Sequence, residues 1–369
     1  MRARAHRAGL AALGEAPLDG VPRYVRDLDL AVLKGIAAFL GTALPPDAPR
    51  TAGQVADVLE TASRHRWIPG HWLAALTGES LVKREPGARY LGPRRFRRSE
   101  LAEVRETLDR ARGGLGYPEA LTRYLLDSLR LLPGLLRDEV SAQSLLFPRG
   151  EFGIAAAAYR DNLANAYLNA AAVKVVHELE VKGRVLELGA GTGSLTTDLL
   201  PALDGHVTEY LFTDLSPFFL DAARTRFAGH PFLRPRVVDF DRDLAAQCGP
   251  DPFDLVVAVN AAHNASHTGT LLGRVRESLA PGGALLLVET CHEHHQSLAS
   301  MPFLLSARPG GSRPERRDGR AGTGRTYLTR REWLAALRTA GLAPLLDLPH
   351  PDHPLAAFSQ HLLVAAREP

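Results

Sequence analysis

Apolar residues recur at helical spacing over residues 28–40, and prolines between 42 and 49 then end the run. The same period predicts helices over 51–62 and from about 65 to 77. Two short alternating stretches follow, Leu81-Val82-Lys83-Arg84 and Ala88-Arg89-Tyr90-Leu91. Glu85-Pro86-Gly87 joins them, and proline followed by glycine between alternating residues signals a hairpin. Helix, helix, hairpin is the outline of a winged helix. Leucines and charges alternate at helical spacing over 99–112 and 117–137, and the stretch 145–150 reads as a linker. A further helix is expected over 155–180, where it could lie over the ligand cleft of a second domain.

From Gly183 onward short apolar strands alternate with helices, the pattern of a doubly wound α/β sheet. Strands are expected at 184–188, 209–214, 236–239, 255–260 and 284–289. Helices fit at 193–203, 218–227, 268–279 and 329–340. Residues 342–347 and 361–366 could pair as an edge hairpin, making seven strands in all. The predicted architecture is a Rossmann-like α/β domain over 146–369 behind a mostly helical, winged-helix-like domain over 1–145. The Gly-, Arg- and Pro-rich span 308–325 reads as a mobile surface loop.

Composition narrows the class. The 369 residues are 45% hydrophobic and 23% charged, enough apolar material for a core without metal or disulfide staples. Cys248 and Cys291 are too few for a disulfide framework and suit a reducing compartment. No stretch reads as a signal sequence or a membrane span, so the cytoplasm is the expected location. The net charge of +3 does not by itself point to nucleic acid. Among the basic residues only Lys34, Lys83, Lys174 and Lys182 are lysines.

The chemistry begins at Val185-Leu186-Glu187-Leu188, a buried strand running into Gly189-Ala190-Gly191-Thr192-Gly193 and then a helix. Glycines are needed where the chain reverses sharply while its backbone approaches a ligand. The spacing is GxGxG, and the acidic Glu187 precedes it. A pyrophosphate would be repelled by that carboxylate, whereas a cationic sulfonium tolerates it. S-adenosylmethionine is therefore the expected ligand. Asp214 ends the next strand, where a carboxylate takes ribose hydroxyls, and Leu215 offers an apolar wall for adenine. At the third strand's end Asp239 could accept from the adenine amino group and Phe240 could stack on the ring. Gly189, Ala190, Gly191 and Gly193, with Asn260 at the end of the fourth strand and Tyr159 upstream, complete the candidate set. Whether Tyr159 and Tyr167 form a lid stays open.

With these residues in place, the C-terminal part resembles class I S-adenosylmethionine-dependent methyltransferases. More closely, it resembles the methyltransferase domains of polyketide synthases and nonribosomal peptide synthetases. The matching text is Leu145-Leu146-Phe147-Pro148, Tyr159-Arg160-Asp161-Asn162, Val185 to Gly193, and Phe212-Thr213-Asp214-Leu215-Ser216-Pro217-Phe218-Phe219. It continues with Val237-Val238-Asp239, Phe253-Asp254-Leu255-Val256, and Leu279-Ala280-Pro281-Gly282-Gly283 running into Glu289. The resemblance runs from about residue 118 onward. It implies methylation of carrier-bound acyl chains at carbon, oxygen or nitrogen, and a small-molecule acyl substrate stays open beside a carrier-protein-bound one. For carbon it implies a His–Glu dyad, here His263 and Glu289. The chain is expected to stand apart from the family in being free-standing, and it reads Asn260-Ala261-Ala262-His263-Asn264 where a small residue usually follows the histidine.

Imidazole titrates near pH 6.5 when unperturbed, which suits it to proton removal. His263 would act as general base, on a carbon acid or a hydroxyl, with Glu289 fixing its tautomer. His263, His267, His292, His294 and His295, with Glu293, could instead gather around zinc or iron. A histidine-rich cleft rim is the preferred reading, so no metal is expected. Arg94-Arg95-Phe96-Arg97-Arg98 could contact phosphate. The preferred reading gives the N-terminal domain a role in dimerisation or in walling the substrate cleft, without nucleic acid or membrane. The favoured function is natural-product C-methylation of an acyl, β-keto or keto-acid-like substrate. The alternatives are O- or N-methylation of a small aromatic or amino acid, and a non-catalytic S-adenosylmethionine-sensing regulator.

Overall fold

A computed structural model describes residues 1–92, 96, 98–307 and 315–368. The chain forms two compact units: Asp19–Asp161 with Glu293–Pro314, and Met1–Leu18 with Asn162–His292 and Glu315–Pro369.

In the first of these, helix Val21–Leu40 opens with a proline in its first turn and buries Val21, Val25, Leu28, Val32, Ile36 and Leu40. Those positions lie three or four apart, so a single stripe faces the core. Helix Ala52–Val58 starts at a reciprocal cap: Thr51 Oγ1 accepts from Gln54 N at 3.2 Å, and Gln54 Oε1 accepts from Thr51 N at 2.9 Å. Helix Ile68–Gly78 follows. A small antiparallel sheet has the order β1 (Arg50–Thr51), β3 (Arg89–Leu91), β2 (Lys83–Glu85). The expected helix, helix, hairpin outline is present, with β1 added to the hairpin. Arg94, Arg95 and Arg97 lie outside the described residues. Later sequence returns to this unit: Trp72 Nε1 donates to Leu298 O at 2.9 Å, and His294 Nδ1 faces Asp29 Oδ2 at 3.2 Å.

The second unit is built on a seven-stranded sheet. Its strands are β4 (Gly183–Leu188), β5 (Val207–Asp214), β6 (Leu233–Val237), β7 (Phe253–Val259), β8 (Leu279–Thr290), β9 (Leu342–Leu348) and β10 (Gln360–Arg367). The order is β6-β5-β4-β7-β8-β10-β9. Strands β4 to β8 pair in parallel, and β10 runs antiparallel to both β8 and β9. The last two strands do form the expected hairpin, but β10 is interior and only β9 is at the edge. The strand order reverses between β4 and β7. At such a switch point the carboxyl ends of the strands splay open and admit a ligand.

Four expectations shift. The division runs between Asp161 and Asn162, not through 145–150. The helix expected over 155–180 breaks there, because Asn162 takes extended geometry (φ −151°) and caps a new helix, Leu163–Glu178, by accepting from Asn165 N at 3.0 Å. Residues 1–18 belong to the sheet-bearing unit. Helix Arg2–Leu13 docks on Leu163–Glu178 through Gly9, where a Cβ would fall 2.6 Å from the Tyr167 ring. The third parallel strand ends at Val237, so Asp239 lies beyond it in a turn. Among the described residues no helix is long and apolar enough to cross a membrane.

Candidate active site

Leaving β4, the chain places Gly189, Gly191 and Gly193 in the left-handed region, with φ of +61°, +53° and +66°. Two of these are also crowded: a Cβ on Gly189 would collide with the Ala261 methyl at 2.7 Å, and one on Gly193 would stand tightly against the Phe227 ring at 3.0 Å. Gly191 differs. Its missing Cβ would meet only Gly189 O, at 3.9 Å, so space stands open over the middle of the turn.

Asp214, at the end of β5, ties the turn down. One carboxylate oxygen accepts from Gly191 N at 3.0 Å and the other from Ser216 N at 2.8 Å. Burial raises its pKa, against the pull of these amides. Ala190 N donates to Thr213 O at 2.8 Å, so the turn is pinned to β5 at two points. Leu215, Phe218 and Val237 lie exposed just beyond β5 or at the tip of β6, an apolar group left in water beside a carboxylate. Asp239 accepts from Asp241 N at 3.0 Å and faces Arg242. Phe240 is half-buried, its ring edge 3.6 Å from where a Gly189 Cβ would stand.

Glu187 is placed differently from the expectation of a carboxylate facing a sulfonium. It is 1% exposed, and one oxygen accepts from Thr196 Oγ1 at 2.6 Å and Tyr210 OH at 2.8 Å. Its carboxyl braces β4 against β5 and the helix after the turn. Burial pushes its pKa up to about 7.

The dyad residues meet. Glu289, fully buried near the end of β8, accepts from Ala261 N at 3.1 Å and Ala262 N at 2.8 Å through one oxygen, and the other lies 2.8 Å from His263 Nδ1. The contact is a hydrogen bond to the carboxylate when Nδ1 carries a proton, the tautomer that leaves Nε2 as an acceptor. The geometry is set by the end of β7. Asn260 turns to φ +46°, its side-chain oxygen accepting from Thr290 N at 3.0 Å and Thr290 Oγ1 at 2.8 Å. The chain then bends into the short helical turn Ala262–Asn264, which presents His263. Asn260 therefore bridges the ends of β7 and β8. Tyr327 sets its ring edge against His263, with centroids 4.9 Å apart.

The other histidines do not gather. His267 caps the helix Thr268–Ser278, accepting from Thr270 N at 3.0 Å, and His294 sits with Asp29 in the other unit. Among the described residues no three metal-ligating side chains form a cluster. Tyr159 also belongs to that unit, where its hydroxyl donates to Met301 Sδ at 3.5 Å. The Tyr167 hydroxyl pairs with His6 Nδ1 at 2.7 Å, on the side where the N-terminal helix docks.

One participant was not visible in the sequence. The span 308–325 was expected to be a mobile surface loop, yet within its described part Arg320 is 2% exposed. Its guanidinium donates to His263 O and pairs with Asp318. Nothing in a glycine- and arginine-rich run distinguishes that arginine from its neighbours.

Residues 186–285 match the family model described as a methyltransferase domain. The chain carries a methyltransferase domain. Over 331 residues, 86% of its length, it is 31% identical to pyochelin synthetase PchF of Pseudomonas aeruginosa. It is 32% identical over 244 residues, 62% of its length, to the highly reducing polyketide synthase acrA of Aspergillus aculeatus. The methyltransferase spans 18% of the first relative and 9% of the second. Its fold is that of the CurJ carbon methyltransferase, with a TM-score of 0.83, 21% identity, and coverage of 98% of this chain and 97% of that one. A trans-methyltransferase of the same fold, CalH, is a complex with S-adenosylhomocysteine, the thioether left when S-adenosylmethionine gives up its methyl; the TM-score is 0.62 at 17% identity, over 93% of this chain and 90% of that one. The residues fit S-adenosylmethionine: open space over Gly191, an Asp214 carboxylate with lone pairs to spare, and an exposed apolar group suited to a purine face.

Proposed function

We propose that this methyltransferase C-methylates an acyl substrate bearing an acidic carbon next to a carbonyl, with His263 as general base. The observation that carries the reading is the 2.8 Å contact between His263 Nδ1 and a Glu289 carboxylate itself anchored on two backbone amides. Gly189, Ala190, Gly191, Gly193, Asp214, Leu215, Asp239 and Phe240 would hold the cofactor, with Asn260 setting the backbone beside it. Carbon is favoured over oxygen or nitrogen because CurJ, which shares the fold, is a carbon methyltransferase. A carrier-bound substrate agrees with relatives named as synthases and synthetases.

S-adenosylmethionine, when bound, supplies an electrophilic methyl whose transfer leaves a neutral thioether. The protein's task is to deprotonate and to position. His263 Nε2 takes the proton from the carbon between two carbonyls, and the electron pair of that C–H bond becomes the enolate. Glu289 stabilises the resulting imidazolium and keeps the ring from turning. A base so placed contributes about 10²–10⁴-fold, and orientation of the reactants supplies more.

The test uses acetoacetyl-N-acetylcysteamine with S-adenosylmethionine. The expected product carries one added methyl at the carbon between the carbonyls. In deuterium oxide without cofactor the enzyme should exchange that carbon's protons, and His263→Ala should abolish the exchange while still binding S-adenosylhomocysteine. A methyl found only on oxygen or nitrogen acceptors would overturn carbon specificity, and undiminished exchange in the alanine variant would overturn the base.

A further inference from the structure

We propose that Arg320 is a positioning residue, whose guanidinium clamps the backbone of the His263 turn and thereby sets where the base stands. The inference rests on the reading of His263 as that base.

The contacts form a fork with few free donors. Nη1 donates to His263 O at 2.5 Å and to Thr326 O at 2.8 Å. Nη2 donates to Ala265 O and Thr268 Oγ1, each at 3.1 Å. Asp318 closes the other side, with one oxygen 2.9 Å from Nε and the other 2.7 Å from Nη2. The second of these oxygens also accepts from Thr268 N at 3.1 Å, capping the helix that follows the turn. Arg316 adds bonds to Asn264 O at 2.6 Å and Ala265 O at 2.8 Å.

The turn is thus gripped at both ends by opposite charges. Glu289 takes the amides of Ala261 and Ala262, and Arg320 takes the carbonyls of His263 and Ala265. Because Nη1 also holds Thr326 O, the same group fixes the residue preceding Tyr327, whose ring edge rests on the imidazole. Burying a guanidinium is costly in desolvation, and Asp318 could take the Thr268 amide without it. What the cation adds is geometry: three carbonyls and a hydroxyl drawn onto one planar donor set. A lysine ammonium cannot reproduce that fork.

The experiment compares wild type, Arg320→Ala, Arg320→Lys, Asp318→Asn and His263→Ala in the full chain. It measures S-adenosylhomocysteine affinity by calorimetry, kcat and KM with acetoacetyl-N-acetylcysteamine, and the His263 ring nitrogens by NMR. In Arg320→Ala we expect kcat to fall about 100-fold, with KM and cofactor affinity held within about threefold. Arg320→Lys should recover only part of the loss. The His263 ring signals of Arg320→Ala should broaden or report mixed tautomers. If Arg320→Ala does not fold, the lysine and Asp318→Asn variants carry the test, with kcat again falling more than cofactor affinity. Unchanged kcat, or kcat and cofactor affinity lost together, would overturn the clamp. A fully active His263→Ala would overturn the base instead, and the ring signals in Arg320→Ala would still decide whether the guanidinium orders the turn.

Discussion

The Glu289 carboxylate lies 2.8 Å from His263 Nδ1 while its other oxygen holds the amides of Ala261 and Ala262. A single buried acid therefore sets both the backbone that carries the imidazole and the proton on its ring. Glu289→Gln would keep the shape, but its amide would offer N–H to Nδ1 and drive the proton to Nε2. Turnover should fall on the order of 10³–10⁴-fold, as for a base held in the wrong tautomer. Steady-state kinetics beside a melting curve checks this: a large kcat loss with a near-native melting temperature is expected.

Gly189 and Gly191 should respond differently to the same added methyl. Both sit at positive φ, which costs a non-glycine residue about 1–2 kcal/mol. At Gly189 the methyl also collides with Ala261, so Gly189→Ala should lose both stability and cofactor affinity. At Gly191 it meets open space, so Gly191→Ala should melt only slightly lower yet bind S-adenosylhomocysteine at least tenfold more weakly, the methyl standing where the nucleoside would lie. Calorimetry and thermal melts on both variants separate the two effects.

Glu187 makes stability fall as pH rises. Burial carries its folded pKa from 4.5 to about 7, above the unfolded value, so folding takes up a proton in that window. Between pH 4.5 and 7 wild type should lose, relative to Glu187→Gln, up to on the order of 3 kcal/mol. Urea titrations of both proteins at pH 5 and pH 8 would show it, and a pH-independent difference would refute it.

Gly9 admits the Tyr167 ring to the surface of the first helix. Gly9→Ala would place a methyl within 2.6–2.8 Å of that ring and of Tyr167 O. A destabilisation of about 1–3 kcal/mol is expected from such overpacking. Denaturant unfolding is the measurement, and no change would mean the helix is not integral to the sheet-bearing unit.

What could be read from the sequence was local. The run from Val185 to Gly193 announces strand, turn and helix through adjacent residues, and the pairing of His263 with Glu289 is what the resemblance to polyketide-synthase methyltransferase domains implied. What could not be read depends on distant partners. Glu187 reads in sequence as a lone acid before the turn, whereas in the fold Thr196 and Tyr210, from two other elements, both bond one of its oxygens. Asp239 was assigned to a strand end, but β6 stops at Val237. Arg320 resembles its solvent-facing neighbours in composition, yet most of its partners lie more than fifty residues upstream. Helix Arg2–Leu13 pairs with a segment far along the chain, a separation that periodicity does not reveal.

That separation imposes an order on assembly. The first helix leaves the ribosome with no surface to rest on, and all of residues 19–161 must emerge before its docking site exists. The sheet waits longer still, since its sixth position is filled by residues 360–367, after the edge strand beside it has been made. Closing contacts so remote in sequence is slow. A nascent chain of this kind holds β8 uncovered along one side until β10 emerges, and it is in that interval, more than in the finished enzyme, that an unshielded strand invites the wrong neighbour.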